Sequence, residues 1–196
     1  WIVLDDGTRG DRILRGRGIP WERIHFLPNG LNMEWMDEKI DRAPARDKFG
    51  LPPDGPVVLF LAGLVDSKGP PDVVRAAGCM ETPARLVFAG DGTLRRACEQ
   101  AARDLGLAER THFLGTVPHD DVPTLMAAAD VFVSTSTLTN RALPTCEAMI
   151  CGVPVVVYDT GDTTTVVRDE ETGLVVKNGD VDALAMAMDR LLGDGQ

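Results

Sequence analysis

The segment 134–159 joins three features that together could bind a phosphorylated ligand. A polar loop runs into a short helix that carries one acid, Glu147, and stops at Cys151 and Gly152 before a buried strand. A helix that begins at the carboxyl end of a parallel strand can bind an anion, because its free N–H groups and its macrodipole both face the ligand. An acid about one turn further along can accept hydrogen bonds from sugar hydroxyls. The pattern predicts a site for a nucleotide diphosphate and its ribose.

The first turn of that helix contains the predicted phosphate donors. Leu143 and Thr145 can offer N–H groups to a phosphate, whereas Pro144 has no N–H to offer. Glu147 follows among apolar neighbours. These surroundings favour a ligand-bound or hydrogen-bonded carboxylate over a solvated helix face.

Two other loops carry residues of suitable chemistry. Lys68 stands with Gly69 just before a predicted helix, where its ammonium could neutralise a diphosphate as a point charge. The alternative is an exposed surface lysine, the commoner fate of this residue type. In residues 115–118, Val117 could flank a nucleotide base, or the segment could be a plain turn with Pro118 near the helix start. Both loops follow predicted strands, where open α/β sheets bind their ligands.

The elements that must position these residues alternate between strands and helices. The strand-like runs are continuously rich in Val, Leu and Phe, which is typical of a parallel sheet covered on both faces. With helical patterns between them, about six such units predict an α/β fold with a doubly wound, Rossmann-like parallel sheet. The predicted strands are 56–63, 84–90, 111–115, 130–135, 153–159 and 173–177, and the predicted helices include 94–105, 119–129 and 181–192.

Composition along the chain predicts three regions. Residues 1–28 show a strand, an arginine-rich helix over 8–17 and a second strand, which together make a βαβ unit. Residues 29–55 are mixed and polar, and they predict a crossover and linker with a short helix around 44–49. Residues 56–196 hold the Rossmann-like domain. Because the chain begins on a strand without a methionine, we expect it to be the middle of a larger protein.

The overall composition is that of an ordinary globular protein, with 44% apolar and 26% charged residues among 196. The net charge of -10 argues against nucleic acid and anionic membrane surfaces as partners. No apolar run reaches the length of a membrane span, and no signal peptide is visible. The four cysteines lack metal-ligand spacing, which favours buried thiols in a reducing cytosol.

Residues 147–156 read EAMICGVPVV, and residues 113–119 and 171–176 read FLGTVPH and ETGLVV. With these strings in this order, the chain resembles over nearly its whole length the retaining glycosyltransferases of GT-B architecture, of the group 1 or family 4 type. The donor-binding helix of that family reads Glu, seven residues, Glu, then Ala-Met-x-x-Gly-x-Pro-Val-Val, and residues 147–156 match the second half. Further matches at family order and spacing are Pro28-Asn29-Gly30, Lys68-Gly69, Ala89-Gly90-Asp91-Gly92, residues 113–119 (FLGTVPH) and residues 171–176 (ETGLVV).

The resemblance implies the C-terminal, donor-binding half of a hexosyltransferase. Such a protein would bind a UDP-, GDP- or ADP-sugar and transfer the hexose to an acceptor hydroxyl, with no metal ion and no cofactor. Residues 1–28 would close an N-terminal acceptor domain, through which a sugar or lipid-linked acceptor would bind. We expect the chain alone to be inactive, and the full-length protein to be cytoplasmic or peripheral to a membrane.

The resemblance also assigns roles to single residues. Lys68 would hold the diphosphate and Glu147 the ribose, and both would be catalytic. The donor-binding residues would be Val117, Thr139, Asn140, Arg141, Ala142, Leu143 and Thr145.

Two family residues are missing from this chain. The family arginine five positions before the lysine is Gly63 here, and the first glutamate of the helix pattern is Thr139. Thr139 and Asn140 would face the transferred sugar without a charge. Arg141 stands where the family usually has an aromatic residue, and it could supply the lost cation or be an exposed loop arginine.

Two other motifs favour structural roles. The Asp-x-Asp at residues 180–182 predicts a helix cap and an acidic first turn, and not a metal site. His119 has no evident partner for a general base, so it predicts a polar residue in a first helical turn.

Two other functions stay open on the sequence alone. One is a degenerate nucleotide-sugar-binding or scaffolding module, which the two lost family residues favour. The other is a non-transferring enzyme of the same fold, such as a nucleotide-sugar epimerase, although residues for its proton transfers are not evident.

Overall fold

The computed structural model describes residues 2–5, 10–28, 30–37, 39–137, 142–161 and 163–193. This part of the chain forms two parallel sheets. The smaller sheet joins β1 (Ile2–Asp5) to β2 (His25–Pro28), with helix α1 (Gly10–Gly16) between them in sequence. These elements are the predicted βαβ unit, whose place in an acceptor domain stays a prediction.

The larger sheet has six parallel strands in the order β5-β4-β3-β6-β7-β8. Its two halves run outward from the adjacent strands β3 and β6, which is the doubly wound arrangement predicted from the sequence. The strands are β3 (Val57–Leu61), β4 (Arg85–Ala89), β5 (Thr111–Gly115), β6 (Val131–Ser134), β7 (Val155–Asp159) and β8 (Leu174–Lys177).

Helices cover both faces of this sheet. They are α2 (Arg42–Lys48), α3 (Pro70–Cys79), α4 (Arg95–Asp104), α5 (Val122–Ala127), α6 (Leu143–Ile150), α7 (Thr163–Val166) and α8 (Val181–Gly193). Single 3-10 turns stand at Trp21–Arg23, Met33–Met36, Asp66–Lys68, Ala108–Arg110 and His119–Asp121.

Alternate residues of each central strand face opposite sides of the sheet, and both sides are buried. On β3, Val58 and Phe60 belong to the core formed with α3, α4 and α8, whereas Val57 and Leu59 belong to the core formed with α2, α5 and α6. None of the four exceeds 2% exposure. Burial on both faces is the reason that these strands are continuous apolar runs in the sequence.

In two helices a single side chain determines where the helix begins. The predicted helix 119–129 begins as a 3-10 turn and becomes α5 only at Val122, because Pro123 has no N–H to bond to the preceding turn. At α8, the Asp180 carboxylate accepts a hydrogen bond from the Ala183 N–H at 3.0 Å. The prediction that the Asp-x-Asp motif caps a helix is therefore confirmed.

The second half of the segment 29–55, for which the sequence predicted a linker with a short helix, contains α2 and packs against the larger sheet. Ala45 and Leu51 are buried in the core beside α5. Arg46 is 2% exposed and pairs with Asp130 at 2.8 Å, while its other nitrogens donate to main-chain carbonyls. The polar composition of the segment does not mean that it lies in solvent, because the buried charge of Arg46 is paired with the carboxylate of Asp130, which is distant in sequence.

Candidate functional site

Two adjoining cavities open where the strand order reverses. The loops that follow β3 and β6 run to opposite sides of the sheet at this point, which leaves the crevice used by ligands of open α/β sheets. The cavities have volumes of about 250 and about 300 Å³. Their shared wall consists of Leu61, Ala62, Gly63 and Pro144.

The smaller cavity is suited to an anion. Lys68 lines it from the end of the 3-10 turn that follows β3, and the side chain is half-buried. Among the described residues no carboxylate is paired with Lys68. Ser134 and Ser136 line the same cavity. An unpaired ammonium beside hydroxyl groups provides positive charge and hydrogen bonds in one place.

Helix α6 begins in the same cavity. Its N-cap residue, Ala142, has φ 36° and ψ 53°, a left-handed conformation that residues other than glycine seldom adopt. Backbone strain of this kind often occurs at ligand sites. Leu143 is the first residue of the helix, so its N–H has no acceptor within the helix. The helix entrance therefore adds a free donor and the positive end of a dipole.

Thr145 contributes differently from the prediction. The sequence predicted that its N–H would be offered to a phosphate. In the structure this N–H donates to the Ala142 carbonyl at 2.8 Å, so it is not available. The residue lines the cavity, however, and its Oγ1 is buried with no hydrogen-bond partner. A buried hydroxyl without a partner is costly. A ligand oxygen in the cavity would supply the missing bond.

The larger cavity holds the acid. Glu147 and Val117 line it from α6 and from the loop after β5, and both side chains are half-buried. Burial raises the pKa of Glu147, and the nearby charge of His119 opposes this by favouring the carboxylate. A half-buried carboxylate with an open cavity before it is suited to accept hydrogen bonds from a pair of hydroxyls.

His119 is a residue of this site that the sequence analysis assigned to a plain helical turn. It lines the same cavity as Glu147, and its ring lies 5.0 Å from the ring of Trp35, centroid to centroid. Trp35 is buried and belongs to the crossover segment. No local signal marks this arrangement, because it joins three elements that are distant in sequence.

Two glycines allow the loops after β3 and β4 to lie close together. A Cβ on Gly90 would lie 2.0 Å from the Ala62 carbonyl oxygen, and a Cβ on Gly92 would lie 2.4 Å from the Leu64 carbonyl oxygen. The loops after β3 and β4 are thus in backbone contact. This is the structural reason for the two glycines of the Gly90-Asp91-Gly92 sequence.

The structure therefore brings together Lys68, Val117, Ala142, Leu143, Thr145 and Glu147 across the two cavities. The predicted residues Thr139, Asn140 and Arg141 lie outside the described residues. In the described part of the chain, no cluster of three or more metal-ligating side chains occurs. No described helix has the length and apolar character needed to cross a membrane.

A family model matches this chain, and so do curated proteins that include the two described here. The model, described as "Glycosyl transferases group 1", matches residues 41–196. A D-inositol 3-phosphate glycosyltransferase of Acidothermus cellulolyticus is 34% identical over 99% of this chain and 46% of that protein. A GDP-mannose-dependent alpha-(1-6)-phosphatidylinositol monomannoside mannosyltransferase of Mycolicibacterium smegmatis is 33% identical over 89% of this chain and 48% of that protein. The chain spans about half the length of the curated relatives it matches.

Part of one solved structure has the same fold as this chain. HepE of Anabaena, in complex with UDP and glucose, aligns with a TM-score of 0.85 and 25% sequence identity. The alignment covers 100% of this chain and 54% of that one.

Proposed function

The chain belongs to the group 1 glycosyl transferase family, and from this premise we propose that it is the donor-binding half of a retaining hexosyltransferase. Its family and its α/β fold confirm the resemblance drawn from the sequence. One observation carries the proposal furthest. Thr145, whose hydroxyl is buried without a hydrogen-bond partner, lines one cavity with Lys68, and half-buried Glu147 lines the adjoining cavity.

In this proposal the smaller cavity holds the diphosphate of a nucleotide sugar. When the sugar departs, negative charge develops on the diphosphate leaving group. Lys68, the Thr145 hydroxyl and the entrance of α6 are fixed in place before the reaction and stabilise this charge as it forms. No metal ion or cofactor is required for this role.

The larger cavity would hold the nucleoside. Glu147 accepts hydrogen bonds from the ribose hydroxyls, and Val117 packs against the base. The related proteins differ in the printed donor, since one is GDP-mannose-dependent and another is in complex with UDP and glucose. We therefore keep UDP, GDP and ADP as candidate nucleotides.

The acceptor side would lie with the βαβ unit of residues 2–28 and the remainder of an N-terminal domain. We propose a sugar or lipid-linked acceptor that binds there, and a cytoplasmic protein that could be peripheral to a membrane. Because the acceptor residues belong to that domain, this chain alone should bind donor and show little or no turnover.

Isothermal titration of the full chain with UDP, GDP and ADP tests the proposal. We expect one of the three to bind, and we expect binding to be the same with and without a chelator of divalent metals. If none binds, the chain is better described as a degenerate or scaffolding module. Binding that disappears in chelator and returns with magnesium or manganese would overturn the metal-independent form of the proposal.

A further inference from the structure

A buried threonine in the loop after β6 forms hydrogen bonds with the loop that carries Lys68. Thr135 follows β6 and is 0% exposed. Its Oγ1 lies 2.9 Å from the carbonyl oxygens of both Lys68 and Gly69, to which it donates its one hydrogen. Thr135 does not line either cavity. Its hydroxyl therefore acts on the loop and not on a ligand.

The same two loops touch at neighbouring positions. Gly69 has φ 61°, and a Cβ there would lie 2.5 Å from the carbonyl oxygen of Thr135, so the two backbones are in direct contact. Two residues before Gly69, the Ser67 carbonyl accepts a hydrogen bond from the Thr137 N–H at 3.0 Å. Three consecutive residues, Ser67, Lys68 and Gly69, are thus held by the segment 135–137.

A second layer of hydroxyls supports this segment from behind. The Thr160 hydroxyl donates to the Ser136 carbonyl, and the Thr163 hydroxyl donates to the Thr160 carbonyl at 2.6 Å. All three residues are at most 9% exposed. The loops after β3, β6 and β7 therefore form one hydrogen-bonded unit.

We propose that Thr135 is a positioning residue for Lys68, and that its hydroxyl sets how strongly the site prefers a diphosphate to a monophosphate. A lysine side chain is flexible, so the place its ammonium can reach depends on how firmly its backbone is fixed. A displacement of about 1 Å in such a group is enough to reduce its effect on a bound ligand severalfold. The inference rests on the proposed function of Lys68.

Isothermal titration of the full chain with a nucleoside diphosphate and its monophosphate tests the proposal. The nucleoside is whichever of uridine, guanosine and adenosine gives the tightest diphosphate binding to the unaltered chain. We expect Thr135→Val to weaken diphosphate binding about tenfold and monophosphate binding by about twofold at most. Thr135→Ser keeps the hydroxyl and should bind like the unaltered chain.

Thr111→Val is the matched control. The Thr111 hydroxyl also donates to a main-chain carbonyl, that of Leu107 at 2.9 Å, but it lies at the amino end of β5. Its loss should not change the preference between the two nucleotides. If Thr135→Val does not fold, Thr135→Cys compared with Thr135→Ser removes the strong donor at nearly constant side-chain size.

Two readouts separate positioning from a general loss of structure. In a Lys68→Ala background, Thr135→Val should have no further effect on diphosphate binding, whereas a disrupted site would lose affinity in either background. Amide hydrogen exchange of residues 64–72 should become faster in Thr135→Val, while that of α4 should stay the same.

The outcomes distinguish this inference from the proposed function. If the unaltered chain binds none of the three diphosphates, the proposed function and this inference both fail. If the unaltered chain binds a diphosphate and Thr135→Val keeps its full preference for it, the inference alone is wrong. Equal losses from Thr135→Val with and without Lys68 would overturn it as well.

Discussion

Glu147 and His119 line the same cavity from two different helical segments, and the charge of His119 opposes the effect of burial on the pKa of Glu147. Burial raises the pKa of Glu147, and His119 opposes that increase only in part, since the net direction is upward. The folded chain thus holds a carboxylate that is poorly solvated in the absence of a ligand. Hydrogen bonds from ligand hydroxyls would replace the lost solvation.

Glu147→Gln is expected to weaken nucleoside diphosphate binding by about 1–3 kcal/mol, the range for a lost charge-assisted hydrogen bond. Isothermal titration of the variant and the unaltered chain measures this difference. Glu109→Gln serves as a control, because Glu109 is exposed in a 3-10 turn away from the site. An unchanged affinity for Glu147→Gln would exclude this residue from ribose recognition.

The same substitution should stabilise the unliganded chain above the pKa of Glu147. Because burial raises this pKa in the folded state, the folded chain binds more protons than the unfolded chain, and its stability falls as pH rises through the titration. Glutamine does not ionise, so it avoids this loss. Thermal unfolding should give a higher Tm for Glu147→Gln at pH about 7, with a smaller advantage at pH about 4. A lower Tm at both pH values would mean that the carboxylate has a stabilising partner.

Thr145→Val tests whether the buried hydroxyl is kept for a ligand. Valine has nearly the same shape and removes a buried group that lacks a hydrogen-bond partner. The unfolding free energy in urea should therefore stay constant or rise by about 1 kcal/mol, while diphosphate binding weakens by about 1.5–3 kcal/mol.

Thr111→Val provides the comparison for that variant. The Thr111 hydroxyl is bonded to the Leu107 carbonyl, so its loss should reduce the unfolding free energy by about 1 kcal/mol without affecting nucleotide binding. If Thr145→Val is destabilised as much as Thr111→Val, the Thr145 hydroxyl has a partner in the folded chain and is not held open for a ligand.

The strands of this fold could be predicted because their chemistry is local. Residues 56–63 are apolar throughout, and β3 occupies 57–61 with every side chain but the last fully buried. Both ends of α6 were predictable for the same reason, since a proline near the start of a helix and a glycine after its end are local signals.

The remaining features depend on contacts between residues far apart in the chain. Arg46 lies in a polar segment that reads as a linker, and its burial depends on Asp130, 84 residues later. His119 lies in the site beside two residues far from it in sequence, since it shares a cavity with Glu147 and its ring is near that of Trp35. A sequence pattern can indicate that a charged residue exists, but it cannot show which distant group will satisfy it.

Asp130→Asn should destabilise the chain through this same pair. Arg46 is 2% exposed, so removing the opposite charge leaves a buried guanidinium without a counter-ion. Urea denaturation should show a loss of about 2–4 kcal/mol. Nucleotide affinity should not change, because Asp130 precedes β6 and lies at the amino end of the sheet, opposite the cavities.

Asp121→Asn is the control for the buried pair. Asp121 pairs with Lys48 in a more exposed setting, so its loss should cost less than about 1 kcal/mol. Equal effects of the two substitutions would show that the Arg46–Asp130 pair contributes no more than a surface ion pair.

The last prediction concerns the cation that the family has at the position of Gly63. This glycine is part of the wall shared by the two cavities, and a Cβ added to it would come no closer than 3.8 Å to another group. An arginine there would start from open space beside the cavity proposed to hold the diphosphate. Arg141 lies outside the described residues, and the sequence places it just before α6, where its guanidinium could replace the lost cation.

Arg141→Ala should then weaken nucleoside diphosphate binding more than nucleoside monophosphate binding, because the distal phosphate carries the extra charge. The difference should shrink as salt concentration rises, since a partly exposed charge pair is screened. Titration at low and high salt measures both effects. Adding Gly63→Arg to the Arg141→Ala variant should recover part of the diphosphate affinity. Equal and negligible effects of Arg141→Ala on both nucleotides would mean that the site has one cation fewer than its relatives.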